Sequence, residues 1–146
     1  MPTRVLITGH HGYIGSVMLP HLVEAGYMVV GLDTDFFRPC MLMPAAAEVP
    51  SLAKDIRDIE PSDLEGFDAV VHLAALSNDP IGNLNSRWTE EINFRASVRL
   101  AHLAKAAGVR RFLFSSSCIM YGMADADTVT EESPLAPQTE YARSKV

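Results

Sequence analysis

The stretch Val5-Leu-Ile-Thr-Gly9-His-His-Gly12-Tyr-Ile-Gly15 decides how the rest of the chain is read. Its first four residues are β-branched or aliphatic and stop at a glycine, and a segment with helical apolar spacing follows. That order predicts a strand, a tight turn and the start of a helix. Each of the three glycines has its own task in such a turn: Gly9 lets the chain leave the strand, Gly12 lets the backbone approach a pyrophosphate, and Gly15 lets the helix pack closely on the strand. The amide hydrogens and positive dipole end of the helix then face the phosphates.

Glycines also punctuate ordinary turns, so the context matters. A second apolar run, Tyr27 to Leu32, ends in Asp33, about 20 residues beyond the loop, where a carboxylate can accept hydrogen bonds from both hydroxyls of an adenosine ribose. Strand, loop, helix, strand and acid in that order point to a dinucleotide site. The acid repels a 2′-phosphate and no arginine follows the strand immediately, so NAD is expected rather than NADP. Arg38 a few residues on is the one feature that tempers that preference.

Composition narrows the class. With 146 residues, 48% hydrophobic and 21% charged, the chain suffices for one domain, residues 1–146, and not for two. No apolar run is long enough for a membrane span and no secretory pattern opens the chain, so a cytoplasmic protein without membrane partners is expected. A formal net charge of −6 argues against nucleic acid. Cys40 and Cys118 make neither a disulfide framework nor a metal cluster, and no metal is expected.

Along the chain, the pattern predicts a first strand to Thr8 and a helix over Ile14–Ala25 with an apolar stripe of Ile14, Val17, Met18, Leu22 and Val23. Gly26 caps it, and Pro20 should kink it or force a local rearrangement. Thr34 to Pro44 reads as a loop over the adenine end, or, through Phe36, Phe37, Met41 and Met43, as a partner surface. Val49–Ala53 is a short third strand leading to Asp55, which could receive the adenine amino group. Pro61 opens a short helix. Phe67–Ala75 is a fourth, buried strand in which His72 reads as a satisfied core histidine. Leu76–Asn85 is a polar loop, a candidate to touch substrate. Trp88–Ala107 is a long amphipathic helix closed by Gly108, with Ile92, Ala96, Leu100, Leu103 and Ala107 on its apolar side, and Arg111–Ser115 is a fifth strand. Alternating strands and helices predict a doubly wound parallel α/β sheet, Rossmann-like, ordered 3-2-1-4-5.

The fifth strand leads into Phe114-Ser-Ser-Ser117 and Tyr121-Gly122, and Tyr141-Ala-Arg-Ser-Lys145 follows about 20 residues later. Tyrosine and lysine four apart share a helix face. A nearby ammonium and an oxidised nicotinamide ring should draw the phenol toward phenolate, so that Tyr141 accepts the proton of a substrate hydroxyl while a serine holds the substrate oxygen.

On these residues the chain resembles the extended short-chain dehydrogenase/reductase family, specifically the nucleotide-sugar epimerase and dehydratase group to which UDP-galactose 4-epimerase belongs. The resemblance implies pyrophosphate contacts from Gly9, Gly12, Tyr13, Ile14 and Gly15, ribose contacts from Asp33, and adenine contacts from Asp55 and Ile56. It implies that Leu73, Ala74 and Ala75 line the cofactor and that Asn93 braces the site. Ser117, Tyr141 and Lys145 match the family's catalytic serine, base and ribose-binding lysine. Two departures bear on the reaction. Dehydratases of the family carry Asp-Glu where Cys118 and Ile119 stand, so epimerisation through a keto sugar is the favoured reaction, and Cys118 lies one position from the acid/base cysteine of the family's epimerase-reductases. The family also continues beyond the equivalent of Lys145 into a domain that grips the nucleotide sugar. The expectation is therefore a fragment, inactive in isolation, of an NAD-dependent nucleotide-sugar epimerase, with a homodimer possible. The rivals are an NAD(P)-dependent oxidoreductase of the same family on a non-sugar substrate, and a non-catalytic NAD-sensing module.

Overall fold

The computed structural model describes residues 2–40, 48–77, 79–123 and 128–146, the Ile81 side chain excepted. Its elements are β1 (Arg4–Thr8), α1 (Tyr13–Glu24), β2 (Met28–Asp33), β3 (Ser51–Ala53), β4 (Ala69–His72), α2 (Asp79–Leu84), α3 (Ser86–Thr89), a π-helical stretch (Glu90–Arg95), α4 (Ala96–Ala106), β5 (Arg111–Phe114) and α5 (Glu140–Arg143). Contacts group these into two compact units, Met1–Ala74 with Ala96–Ser115, and Ala75–Arg95 with Ser116–Val146.

The first unit contains a five-stranded sheet, all parallel, in the order β3-β2-β1-β4-β5. The expected doubly wound arrangement is thus the observed one. The central strands carry near-continuous aliphatic runs because both faces are covered: Leu6, Ile7, Leu32 and Val70 have no solvent exposure. Ala96, Leu100 and Ala104 on α4 are buried too, at helical spacing. His72 is 1% exposed, with Nδ1 2.6 Å from Thr8 Oγ1 and Nε2 2.8 Å from Ser97 Oγ. It is the satisfied core histidine that its sequence context suggests.

Helix α1 runs through Pro20 for 12 residues, as its flanking pattern suggests, but its buried side is not the expected one. Gly15 and Leu19, four apart, are its buried positions, while Ile14, Val17 and Val23 are exposed and only Met18 and Leu22 of the expected stripe pack partly against the core. Gly26 does follow the helix end, at φ +84° with its N–H on the Val23 carbonyl. Phe36 and Phe37 are 75% and 66% exposed, and Met41 and Met43 lie outside the described residues. Both cysteines are free and exposed.

The second unit departs further. The supposed loop after β4 contains a helix, α2, because Asp79 and Pro80 supply an acid and a preset φ to its first turn. The long helix begins two residues early, where Asn85 caps the Arg87 N–H, and widens to π geometry around Asn93. Asn93, 1% exposed, accepts from the Leu76 N–H (2.8 Å) and donates to the Leu76 carbonyl (3.0 Å) and to Ser144 Oγ (3.2 Å). A π turn is a common way to aim one such side chain without ending a helix.

Candidate functional site

The glycine loop is built as a close-packed turn. Gly9 has φ +74°, and a Cβ there would lie 2.7 Å from the Ala74 nitrogen. At Gly15 a Cβ would fall 2.4 Å from the Gly9 carbonyl oxygen and 2.6 Å from the His10 Cα, so a side chain at either position would force the backbone apart. Gly12 is the N-cap of α1, its N–H bonded to the Gly9 carbonyl at 3.0 Å. Tyr13, 90% exposed, and exposed Ile14 form the first turn.

The loop faces the end of β2. Asp33 accepts the His11 N–H at 3.1 Å and the Asp35 N–H at 3.1 Å, which fixes the carboxylate beside the helix N-terminus. A cradle without Cβ atoms, a helix start and an acid held next to both suit a pyrophosphate and a ribose. The remaining candidates of this unit are less open. Asp55 caps the turn Ile56–Asp58 and pairs with Arg57 at 2.8 Å, and that pairing holds its carboxyl below the usual range against the opposing effect of burial. Ile56 is buried, and Leu73 and Ala74 are half-buried.

The second unit gathers Ala75, Asn93, Ser117, Tyr141 and Lys145. Thr139 caps α5, its side chain accepting the Ala142 N–H at 3.0 Å. α5 spans Glu140–Arg143, and the Ser144 N–H extends its hydrogen bonding to the Glu140 carbonyl. A final turn, Lys145 N–H to the Ala142 carbonyl, brings Nζ to 5.7 Å from the Tyr141 ring centre. Lys145 is 5% exposed, and burial lowers its pKa. Tyr141 moves opposite to the direction first expected. Burial pushes its phenol up, the Ser117 side-chain hydrogen bond pulls it down, and the Asp79 carboxylate pushes it up again. Desolvation disfavours the charged form of either group, and within this chain that effect outweighs the neighbouring hydroxyl.

Residues outside the expected set stand out here. Asp79 Oδ1 is buried without a hydrogen-bond partner among the described residues. Gly82 in α2 lies against Tyr141, a Cβ there coming within 3.4 Å of the Tyr141 Cβ. In the first unit, His10 is packed against Gly31, and His11 and Asp35 pair beside Asp33. The His-His pair inside the glycine loop and the glycine within β2 were the visible signals for these.

A family description, "NAD dependent epimerase/dehydratase family", matches from Val5 to Val146. The chain belongs to the NAD dependent epimerase/dehydratase family. Within that family it is 33% identical to a UDP-glucose 4-epimerase of Streptomyces lividans, over 100% of this chain and 45% of that protein. Among solved structures it is similar to TunA, described as an NAD dependent NDP-hexosamine 5,6-dehydratase involved in tunicamycin biosynthesis. That likeness has a TM-score of 0.87 at 32% identity, over 97% of this chain and 46% of the other. It is also similar to a UDP-N-acetylglucosamine 4-epimerase from Methanobrevibacter ruminantium M1, with TM-score 0.88 and 26% identity, over 99% of this chain and 47% of the other. The chain thus spans under half the length of these family members. Among the described residues no helix is long and apolar enough to cross a membrane.

Proposed function

We propose that the chain supplies the cofactor-binding and proton-transfer part of an NAD-dependent nucleotide-sugar epimerase. Gly9, Gly12, Tyr13, Ile14 and Gly15 would hold the pyrophosphate and Asp33 the adenosine ribose, with Asp55 and Ile56 at the adenine and Leu73, Ala74 and Ala75 along the cofactor. Asn93 fixes the backbone at Leu76 and meets Ser144, the residue before Lys145. When bound, NAD supplies a hydride acceptor that can also return the hydride, together with the positive charge of its oxidised ring.

The chain's own residues do the proton work. Tyr141 takes the proton from the sugar hydroxyl at its phenolic oxygen as the carbon is oxidised, and gives it back once the keto sugar has presented its other face. Ser117, beside that phenol, holds the reacting oxygen. Lys145, with Nζ 5.7 Å from the ring, contributes the ribose contact and a positive charge that favours phenolate. The observation that carries this reading is the gathering of Ser117, Tyr141 and Lys145 in one unit, with Cys118 and Ile119 offering no acid–base pair beside them.

The similarity to TunA, together with the unpartnered Asp79 oxygen, favours a second reading, in which Asp79 supplies the carboxyl group that water elimination requires. Incubating the full-length protein with NAD and UDP-hexoses separates the two by product: an interconverted hexose or a dehydrated sugar. Under the epimerase reading no NADH accumulates, and Tyr141→Phe lowers kcat by about 10²- to 10⁴-fold in a folded protein. An unchanged rate in that variant would leave the site a binding module.

A further inference from the structure

The glycine loop carries two histidines for which the proposed chemistry has no use. His10 is 2% exposed; its Nε2 lies 3.1 Å from Ser51 Oγ, and its Nδ1 is buried with no hydrogen-bond partner among the described residues. His11 stacks on it, ring centres 3.7 Å apart, and its Nδ1 bonds to Asp35 Oδ1. One nitrogen of each imidazole and one carboxylate oxygen of Asp33 lie within 4.8 Å of one another.

The surroundings of these three groups follow the pattern of metal ligands. A ligating imidazole usually gives its other N–H to a carboxylate or another oxygen, and a ligating carboxylate is itself hydrogen-bonded. Here His10 Nε2 is bonded to Ser51 Oγ, His11 Nδ1 to Asp35 Oδ1, and Asp33 accepts two backbone N–H groups. Asp35 is the only described non-glycine residue with positive φ, +60°, a conformation that costs energy and is held by its N–H on Asp33 and its carboxylate on His11 and Arg38. His10 Nδ1, buried and without a partner among the described residues, is the ring nitrogen left for a ligand.

We propose that His10, His11 and Asp33 form a binding site for a divalent ion of the zinc class, and that this ion excludes the adenosine ribose from Asp33. Two imidazoles and one carboxylate select such ions over Mg²⁺ and Ca²⁺, which prefer all-oxygen sites. Bonds of about 2.1 Å require the ligand atoms to close to about 3.4 Å from one another, leaving a fourth position for water. The ion site stands by itself; only the exclusion of ribose rests on the proposed dinucleotide reading.

Calorimetry on the full protein, titrated with zinc chloride and separately with magnesium chloride, tests the site. One zinc per chain and no magnesium heat are expected. His11→Ala abolishes zinc binding, and Asp35→Asn weakens it at least tenfold, with circular dichroism showing both variants folded. Absence of zinc binding, or an affinity unmoved by both substitutions, overturns the site. Bound zinc should raise the Kd for NAD at least tenfold in the parent protein and leave it unchanged in His11→Ala. An NAD affinity indifferent to bound zinc overturns the exclusion, and so does a protein that binds zinc but not NAD even when zinc is absent. In the second case it is the dinucleotide reading that has failed.

Discussion

The two units of the chain hold most of their polar groups in different ways, His10 Nδ1 being the first unit's exception. In the first, His72 has an oxygen partner at each ring nitrogen, Asp68 ties the Arg4 N–H to Arg110, and Asp63 closes a capping box while pairing with Lys54 at 2.7 Å. In the second, a half-buried phenol and a buried ammonium have their pKa values displaced by desolvation, and a carboxylate oxygen has no described partner. A parallel sheet makes its own hydrogen bonds, so its side chains are left to fill space or to cap. Short helices, turns and a π stretch rely on side chains to hold them, and side chains so used can also be held where their ionisation is unfavourable. Displaced ionisation in such a place is what acid–base chemistry needs.

The contrast is broken most severely at Asn93, the side chain that holds the second unit's backbone. Asn93→Leu keeps the volume but leaves the Leu76 N–H and carbonyl without their bonds and removes the one donated to Ser144 Oγ, which keeps its own bond to the Tyr141 carbonyl. An unsatisfied buried polar group costs about 1–3 kcal/mol, so a loss of about 3 kcal/mol is expected, read from the urea midpoint. A loss below about 1 kcal/mol would mean that this unit does not depend on side-chain hydrogen bonds as described.

In the first unit the corresponding test is one of space. Gly31→Ala puts a Cβ 2.3 Å from the His10 ring, whose atoms are buried and cannot swing aside as a flexible chain end would. Overpacking of this kind costs about 1–3 kcal/mol. Adding His10→Ala to Gly31→Ala should recover most of that loss, since the two residues share one clash and their effects are not additive. The same pair sharpens the metal proposal, because Gly31→Ala, by displacing the His10 ring, should also weaken zinc.

The legibility of the sequence follows the same division. The sheet order could be read because its signals are local and repeated: aliphatic runs ending in glycine or acid, and crossovers of one hand. Gly9 and Gly15 could be read because close approach of the backbone demands that one residue type. The π stretch and α2 could not, since hydrogen bonds between residues distant in sequence, such as Asn93 to Ser144, decide how this region folds. His10 escaped notice because its place depends on a glycine 21 positions away. The desolvation of the Tyr141 phenol and the approach of Asp79 are not legible either, because both depend on the fold, whereas the lysine four residues on is visible in the sequence.

The smallest of these effects concerns that shift. A tyrosine whose folded pKa lies above its ordinary value near 10 is protonated at neutral pH, so its competence as a base should climb as pH rises toward that value. The stability gained from keeping the phenol neutral is present below about pH 10 and lost as pH rises through the folded value. Burial is the larger cause and Asp79 a lesser one, acting through its negative charge. Asp79→Asn removes that charge at nearly constant volume, so the phenol should ionise more readily. The rising limb of kcat/KM against pH then moves to lower pH, and the rate at a fixed pH on that limb increases. A side chain that merely shaped α2 would change KM or stability and leave the limb in place. An unmoved limb in a folded Asp79→Asn variant would therefore show that Asp79 and Tyr141 are not electrostatically coupled, and that burial alone sets the ionisation of the base.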